Sequence, residues 1–178
     1  MVTAQTSDPL AEALTLMAAT PTAIAALVRA APADVLERRA SAEEWSPREV
    51  LAHLLYVEGL LRARLEAMAA GPDGGPMPAG KPAPEPGPAL PSLASWRRRR
   101  AANLRWLRSL DAAQLERSAV HRRWGAISVR EHVVEWSYHD LDHLRQLLAS
   151  LEAELYPSIG GWRGLYPTPF AVRDTDRR

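Results

Sequence analysis

The sequence predicts an all-α protein, a four-helix bundle whose helices follow an up, down, down, up path. Four stretches carry apolar residues at helical spacing, two of them open on a capping box, and a long proline- and glycine-rich segment separates the second from the third. Each apolar stripe has to be buried against another helix, and a bundle achieves this. Nothing in the sequence argues for a β-strand.

The first predicted helix begins at Asp8 and Pro9, because an aspartate caps free backbone amides and proline suits the first turn. Pro21 interrupts the apolar register without ending it, so we expect one kinked helix that reaches about Ala30. Its apolar stripe consists of Leu10, Leu14, Met17, Ile24, Leu27 and Val28.

The second predicted helix has the clearest start. Ser46, Pro47 and Glu49 form a capping box with proline at the first position, and the helix should run to about Ala70. His53 lies on its apolar side, next to the stripe formed by Val50, Leu54, Val57, Leu61, Leu65 and Met68.

The segment 71–91 is a connector, since it holds eight prolines and five glycines. Such a composition cannot form a helix or a central strand. An extended proline-rich chain covers about 3.1 Å per residue, so the connector is long enough to return along the whole second helix. The second and third helices are therefore expected to be parallel.

The remaining helices complete the bundle. The third is predicted over about Ser92–Leu110, with a short helical turn in Asp111–Ser118 and a loop through Gly125. Ser128 and Glu131 repeat the capping box and open a fourth helix that reaches about Leu155. The second and fourth helices are then antiparallel.

One domain is expected, with the bundle in residues 1–156 and an irregular C-terminal tail in residues 157–178. Trp162, Tyr166 and Phe170 in the tail suggest that it packs on the bundle or on a partner subunit.

Composition narrows the function classes. The chain has no cysteine, which excludes a disulfide framework, a thiolate zinc site and a cysteine nucleophile. Any thiol chemistry would need a thiol that another molecule supplies. The net charge of +1 favours neither nucleic acid nor anionic lipid as a partner. Neither a leader peptide in Met1–Leu10 nor an uninterrupted apolar membrane span is apparent, so we expect a cytoplasmic protein.

Three histidines fall where a bundle could gather them. His139 and His143 are four residues apart, so both can reach one ion from one helix face. Antiparallel packing brings His53 to about the same level, at 1.5 Å per helical residue. Neutral imidazoles are common ligands for zinc and nickel, and three of them leave a coordination position open for water or substrate. Hydrogen-bonded core histidines are the alternative reading.

Several neighbours have a predicted place near this site. Asp140 and Asp142 flank the histidine pair, and either carboxylate could accept the second ring N–H of a ligand, although solvated aspartates are the common case. Tyr56, Trp136 and Tyr138 are candidate pocket residues, although aromatic residues at helical spacing are often core.

Other candidates are set aside or left open. Glu49 is explained by capping, His132 lies about 10 Å along the helix from His139, and His121 is read as a loop residue. The arginines of the run 97–100 wrap all faces of a helix, so they are interpreted mainly as solvated surface, with the anchoring of a carboxylate-bearing thiol cofactor as the alternative.

Two segments resemble the signature segments of the DinB-like, or DinB/YfiT-like, metalloenzyme superfamily. They are WSPREVLAHL at residues 45–54 and HDLDHLRQL at residues 139–147, and WGAISVRE at residues 124–131 is similar to the family's entry into the last helix. The resemblance spans about residues 10–152. It implies the up, down, down, up bundle and a divalent metal, zinc or nickel, at His53, His139 and His143.

The resemblance also implies a function. Family members with assigned activities are mostly transferases or isomerases that use a low-molecular-weight thiol such as bacillithiol, mycothiol or glutathione, and they are often dimers. We therefore expect a metal-dependent thiol S-transferase or related enzyme of detoxification or stress response, with a small-molecule substrate and a homodimeric assembly. A metal ion favours thiolate over thiol, although it could instead activate water. A non-enzymatic metal-binding stress or assembly protein, and nucleic-acid binding through the arginine-rich helix, are the alternatives.

Overall fold

The structure is a computed structural model that describes residues 8–170. The parts of the predicted domain and tail in residues 1–7 and 171–178 lie outside the described residues. Within residues 8–170 the fold consists of six α-helices and three short strands, followed by two 3-10 turns. In chain order they are α1 Pro9–Ala30, α2 Ala33–Glu37, α3 Pro47–Ala70, β1 Gly75–Pro76, α4 Ala89–Leu107, α5 Ala112–Glu116, β2 Ser118–His121, β3 Gly125–Ser128, α6 Val129–Leu155, and the turns Tyr156–Ser158 and Gly160–Gly164.

The helix starts follow the local chemistry of the sequence. The Asp8 side chain accepts a hydrogen bond from the Leu10 amide, and α1 continues through Pro21 to Ala30 as predicted. Ser46 opens α3 and Ser128 opens α6, and each is paired with the glutamate three residues later in a complete capping box. These reciprocal bonds satisfy amides that have no partner within the helix.

The long helices α1, α3, α4 and α6 form a helical bundle in which α1 and α3 each pack against α4 and α6. Arg100 of α4 contacts Glu58 of α3, and Trp106, six residues further along α4, contacts Arg62, four residues further along α3. The contacts thus advance in the same direction along α3 and α4. The complete up, down, down, up path stays a prediction.

The expectation of no strands was wrong. Residues 118–128, predicted as a helical end and a loop, contain an antiparallel hairpin in which Ser118 pairs with Ser128 and His121 with Gly125. Gly125 has φ +80°, a conformation that favours glycine in the turn. Strand β1 of the connector adds in parallel to β2. Each strand is too short to give a periodic signal.

Several predicted boundaries shift. Helix α4 begins at Ala89 and ends at Leu107, so the irregular connector ends near Pro88 instead of Pro91. The five-residue helix α2 was not predicted. In the tail, Trp162 and Tyr166 are more than half exposed, so within the described residues these two rings are not covered by the bundle.

Helix α1 is long and apolar enough to cross a membrane by length and composition alone. Its residues Met17, Ile24 and Val28 are fully buried in the bundle core. This burial is typical of a core helix.

Candidate metal centre

Three histidines from two helices meet at one place in the bundle. His53 comes from the second turn of α3, whereas His139 and His143 lie one turn apart near the middle of α6. The capping boxes fix where each helix starts, and therefore which face each histidine occupies. His143 is buried, and the other two are partly buried.

The imidazole nitrogens converge. Nε2 of His139 lies 3.1 Å from Nε2 of His53 and 3.1 Å from Nε2 of His143. One nitrogen from each ring lies within 4.8 Å of the others. Sequence spacing thus correctly anticipated that these three side chains come together.

Burial and crowding lower the pKa values of His53 and His139, which keeps these two rings neutral. Burial, together with the neighbouring His143, lowers the pKa of His53 to about 4. Burial lowers the pKa of His139 to about 3, with further contributions from His143, His53 and Arg100. Neutral imidazole is the form that binds metal ions.

Two side chains outside the cluster, those of Gln146 and Trp45, contact its histidines. His143 Nδ1 lies 3.0 Å from Oε1 of Gln146, one turn further along α6. Nδ1 of His139 is buried without a hydrogen-bond partner among the described residues. The Trp45 indole lies 4.9 Å from the ring of His53 and stacks at 6.0 Å on that of His143.

These residues fit a divalent metal ion. Two ligands of a tetrahedral ion with metal–nitrogen bonds of about 2.0–2.1 Å lie about 3.3 Å apart, close to the two observed spacings of 3.1 Å. When two neutral rings face each other through their Nε2 atoms, at most one of the two atoms can donate a hydrogen bond to the other. Three imidazoles without a carboxylate or thiolate suit zinc, nickel or copper better than magnesium or calcium.

A cleft of about 320 Å³ opens beside His53 and His139. Helices α3 and α6 form two of its walls, and the hairpin and the connector form the others. Its remaining lining residues are Tyr56, Val57, Leu60, Leu61, Arg64, Met77, His121, Trp124, Ile127, His132 and Glu135. The mixture of apolar walls and a few polar groups is typical of a small-molecule site.

The aspartates predicted beside the histidines have different surroundings. Both carboxylate oxygens of Asp140 accept hydrogen bonds from Arg100, so the expected ring N–H acceptor is engaged elsewhere. Burial raises the pKa of Asp140 to about 6, although the bonds from Arg100 act in the opposite direction. Asp142 is half exposed and pairs with Arg145 at 2.7 Å.

The three aromatic residues predicted to line the pocket also have different surroundings. Tyr56 lines the cleft, and its hydroxyl donates to the carbonyl oxygen of Lys81 in the connector. Trp136 was wrongly expected in the pocket, since it is fully buried in the core. Tyr138 is mostly exposed and does not line the cleft.

The sequence did not predict the buried network of charged side chains that lies next to the histidines. Arg100, read as part of a solvated run, is 1% exposed and bridges Glu58 and Asp140. Burial alone would lower the pKa of Arg100, but the hydrogen bonds to Asp140 and Glu58 outweigh it and raise that pKa. A charged residue one turn after Leu54 in an apolar stripe was the available signal for Glu58. Gln146 and Trp45 gave no such signal.

Comparisons with known proteins define the class. A model of the DinB superfamily matches residues 16–147. The match covers more than half of the chain, so this protein belongs to the DinB superfamily, as its signature segments indicated.

One solved structure with the same fold is YfiT from Bacillus subtilis, described as "a probable metal-dependent hydrolase with an unusual four-helix bundle topology". The two share 16% identity with a TM-score of 0.70, over 85% of this chain and 91% of YfiT. At this identity the likeness shows the fold, which confirms the predicted helical-bundle class. No curated protein matches the chain.

Proposed function

We propose that this protein is a metal-dependent enzyme in which His53, His139 and His143 hold one divalent ion, zinc or nickel. The observation that carries the proposal is the convergence of three imidazoles beside a cleft. A divalent ion held there would act as a Lewis acid that lowers the pKa of a coordinated nucleophile.

The residues of the chain have distinct roles in this proposal. Gln146 accepts the Nδ1 proton of His143, which directs Nε2 of that ring toward the other two. Trp45 shields the histidines from solvent on one side, and the cleft admits the substrate on the other. Arg100 of α4 forms buried ion pairs with Glu58 of α3 and with Asp140 of α6, and these pairs join the three helices next to the site.

We infer that the nucleophile is a low-molecular-weight thiol of the bacillithiol or mycothiol type, transferred to an electrophile or isomerised as an adduct. The chain has no cysteine, so the thiol has to enter from solution, and the cleft offers room for part of such a molecule. Water is the competing nucleophile, which is favoured by the description of YfiT as a probable hydrolase.

The first test is the metal content of tag-free protein purified without a chelator, measured by mass spectrometry beside His139→Ala. About one divalent ion per chain, lost in the variant and retained in the control His121→Ala, supports the site. Less than stoichiometric metal after reconstitution contradicts it. A folded variant that keeps full occupancy also contradicts the assignment.

The second test separates enzyme from binding protein. Reconstituted protein is incubated with bacillithiol or mycothiol and a chloro-nitroarene electrophile, and thioether formation is followed with and without chelator. Metal-dependent turnover supports a transferase. Turnover of ester substrates alone would favour hydrolysis, and an effect of chelation on melting alone would favour a non-enzymatic role.

A further inference from the structure

The cleft follows one face of α3 from the histidine cluster to Arg64. His53 and Arg64 are eleven residues apart, which is close to three full turns and about 16 Å along the axis. The wall between them is apolar and includes Val57, Leu61 and Met77. A ligand bound at the histidines could therefore run along this apolar wall and meet a cation at its far end.

Arg64 is held in place but has no anionic partner. Its Nε donates a 3.0 Å hydrogen bond to the carbonyl oxygen of Pro78 in the connector. No carboxylate of residues 8–170 forms an ion pair with it. Since Nε is the only nitrogen engaged, the terminal guanidinium nitrogens remain for a ligand.

The charges around the cleft favour this cation over any other lining group. Arg64 is the only lysine or arginine among the described lining residues, and Glu135 is the only carboxylate. Glu135 lies on α6, 3.2 Å from Nδ1 of His132. An anion in the cleft is thus attracted to the α3 wall and repelled from the α6 wall.

We propose that Arg64 binds a carboxylate of an elongated small molecule whose reacting group lies at the three histidines. This inference rests on the proposed function and adds the substrate class, an anionic molecule with an apolar or neutral middle. A guanidinium binds a carboxylate through two parallel hydrogen bonds, so it selects for charge and for orientation.

The alternative role for Arg64 is purely structural, as an anchor for the connector through Pro78. An anchor would affect folding but would not distinguish an acidic ligand from its neutral amide. The comparison of an acid with its amide in the unaltered protein therefore tests the proposal without relying on a variant.

The probes are ω-mercaptooctanoate and its amide, with mercaptopropionate and its amide as a short pair that cannot span from the histidines to Arg64. Binding to zinc-loaded full-length protein is measured by titration calorimetry, and zinc content is measured on the same samples. The chain has no cysteine, so these thiols cannot form disulfides with it.

We expect the long acid to bind roughly 10- to 100-fold tighter than its amide, the range for a hydrogen-bonded charge. The preference should be lost in Arg64→Gln, partly kept in Arg64→Lys, and unchanged in Arg62→Gln, whose side chain pairs with Glu66. The short pair should show no Arg64-dependent preference.

Equal affinity of the long acid and its amide, at full zinc occupancy, would overturn this inference and leave the proposed function intact. A preference that survives in Arg64→Gln would overturn it as well. Failure of the wild-type chain to bind either zinc or nickel would instead remove the proposed function, and this inference with it.

Discussion

Arg100 of α4 and Asp140 of α6 form a buried ion pair one residue away from the proposed metal ligand His139. Nη2 of Arg100 lies 3.0 Å from Oδ1 of Asp140, and both side chains are 1% exposed. The same guanidinium bonds to Glu58 of α3 and to the carbonyl oxygen of Met17 in α1. One side chain thus links all four long helices at the level of the site.

Replacing Arg100 should destabilise the bundle. In Arg100→Met, Glu58 and Asp140 lose a buried partner, and we expect the free energy of unfolding to fall by roughly 3–5 kcal/mol. Urea unfolding followed by circular dichroism measures this. The exposed Arg98 of the same run is the control, and Arg98→Met should change stability by less than about 0.5 kcal/mol. Similar values for both variants would show that the network contributes little.

Gln146 should affect metal affinity through His143. Leucine at position 146 removes the acceptor for Nδ1 of His143, and loss of such a partner weakens metal binding by about 10- to 100-fold. Competition with a chromogenic zinc chelator measures the affinity. Gln146→Glu keeps an acceptor and should retain or increase it. An unchanged affinity in Gln146→Leu would mean that the hydrogen bond does not orient the ring.

The metal-free protein should lose stability as the pH falls through the histidine range. In the unfolded chain His53 and His139 bind protons near pH 6.5, whereas in the folded chain their pKa values are about 4 and about 3. Between these values the unfolded state holds more protons, so the free energy of unfolding decreases with decreasing pH.

The test is the slope of unfolding free energy against pH between about 6.5 and 4, where these two groups should add up to about two protons on unfolding. His53→Ala should reduce the slope in this window, because one of the two groups is gone. His121→Ala, which removes a histidine outside the cluster, serves as the control. An equal slope in His53→Ala and wild type would argue against neutral histidines in the folded cluster.

Trp45 should report metal binding. Its indole is within 4.9 Å of the His53 ring, and Ni²⁺ or Cu²⁺ at the cluster would quench its fluorescence. We expect Trp45→Phe to lose most of the metal-dependent quenching. Trp106, which packs under Arg62 at 3.8 Å, provides the matched control, and Trp106→Phe should keep it. Quenching that survives in Trp45→Phe would place the bound ion elsewhere.

Local signals in the sequence were enough to predict the long helices and the meeting of the three histidines. Ser46 with Glu49 and Ser128 with Glu131 act over three residues, and the spacing of His139 and His143 fixes their shared face. The hairpin in residues 118–128 was missed, because four-residue strands are stabilised by each other and carry little signal of their own.

The sequence by itself therefore determined where the helices begin, which faces are apolar and which histidines can share an ion, since these depend on residues within a few turns. Only the tertiary structure decided that Arg100 is buried between Glu58 and Asp140, that Trp45 covers the histidines, and that Arg64 ends a cleft closed by the hairpin and the connector. These contacts join residues that are distant in the chain. Their formation depends on how the helices pack, because no local pattern encodes which charged side chain will find a partner inside the bundle.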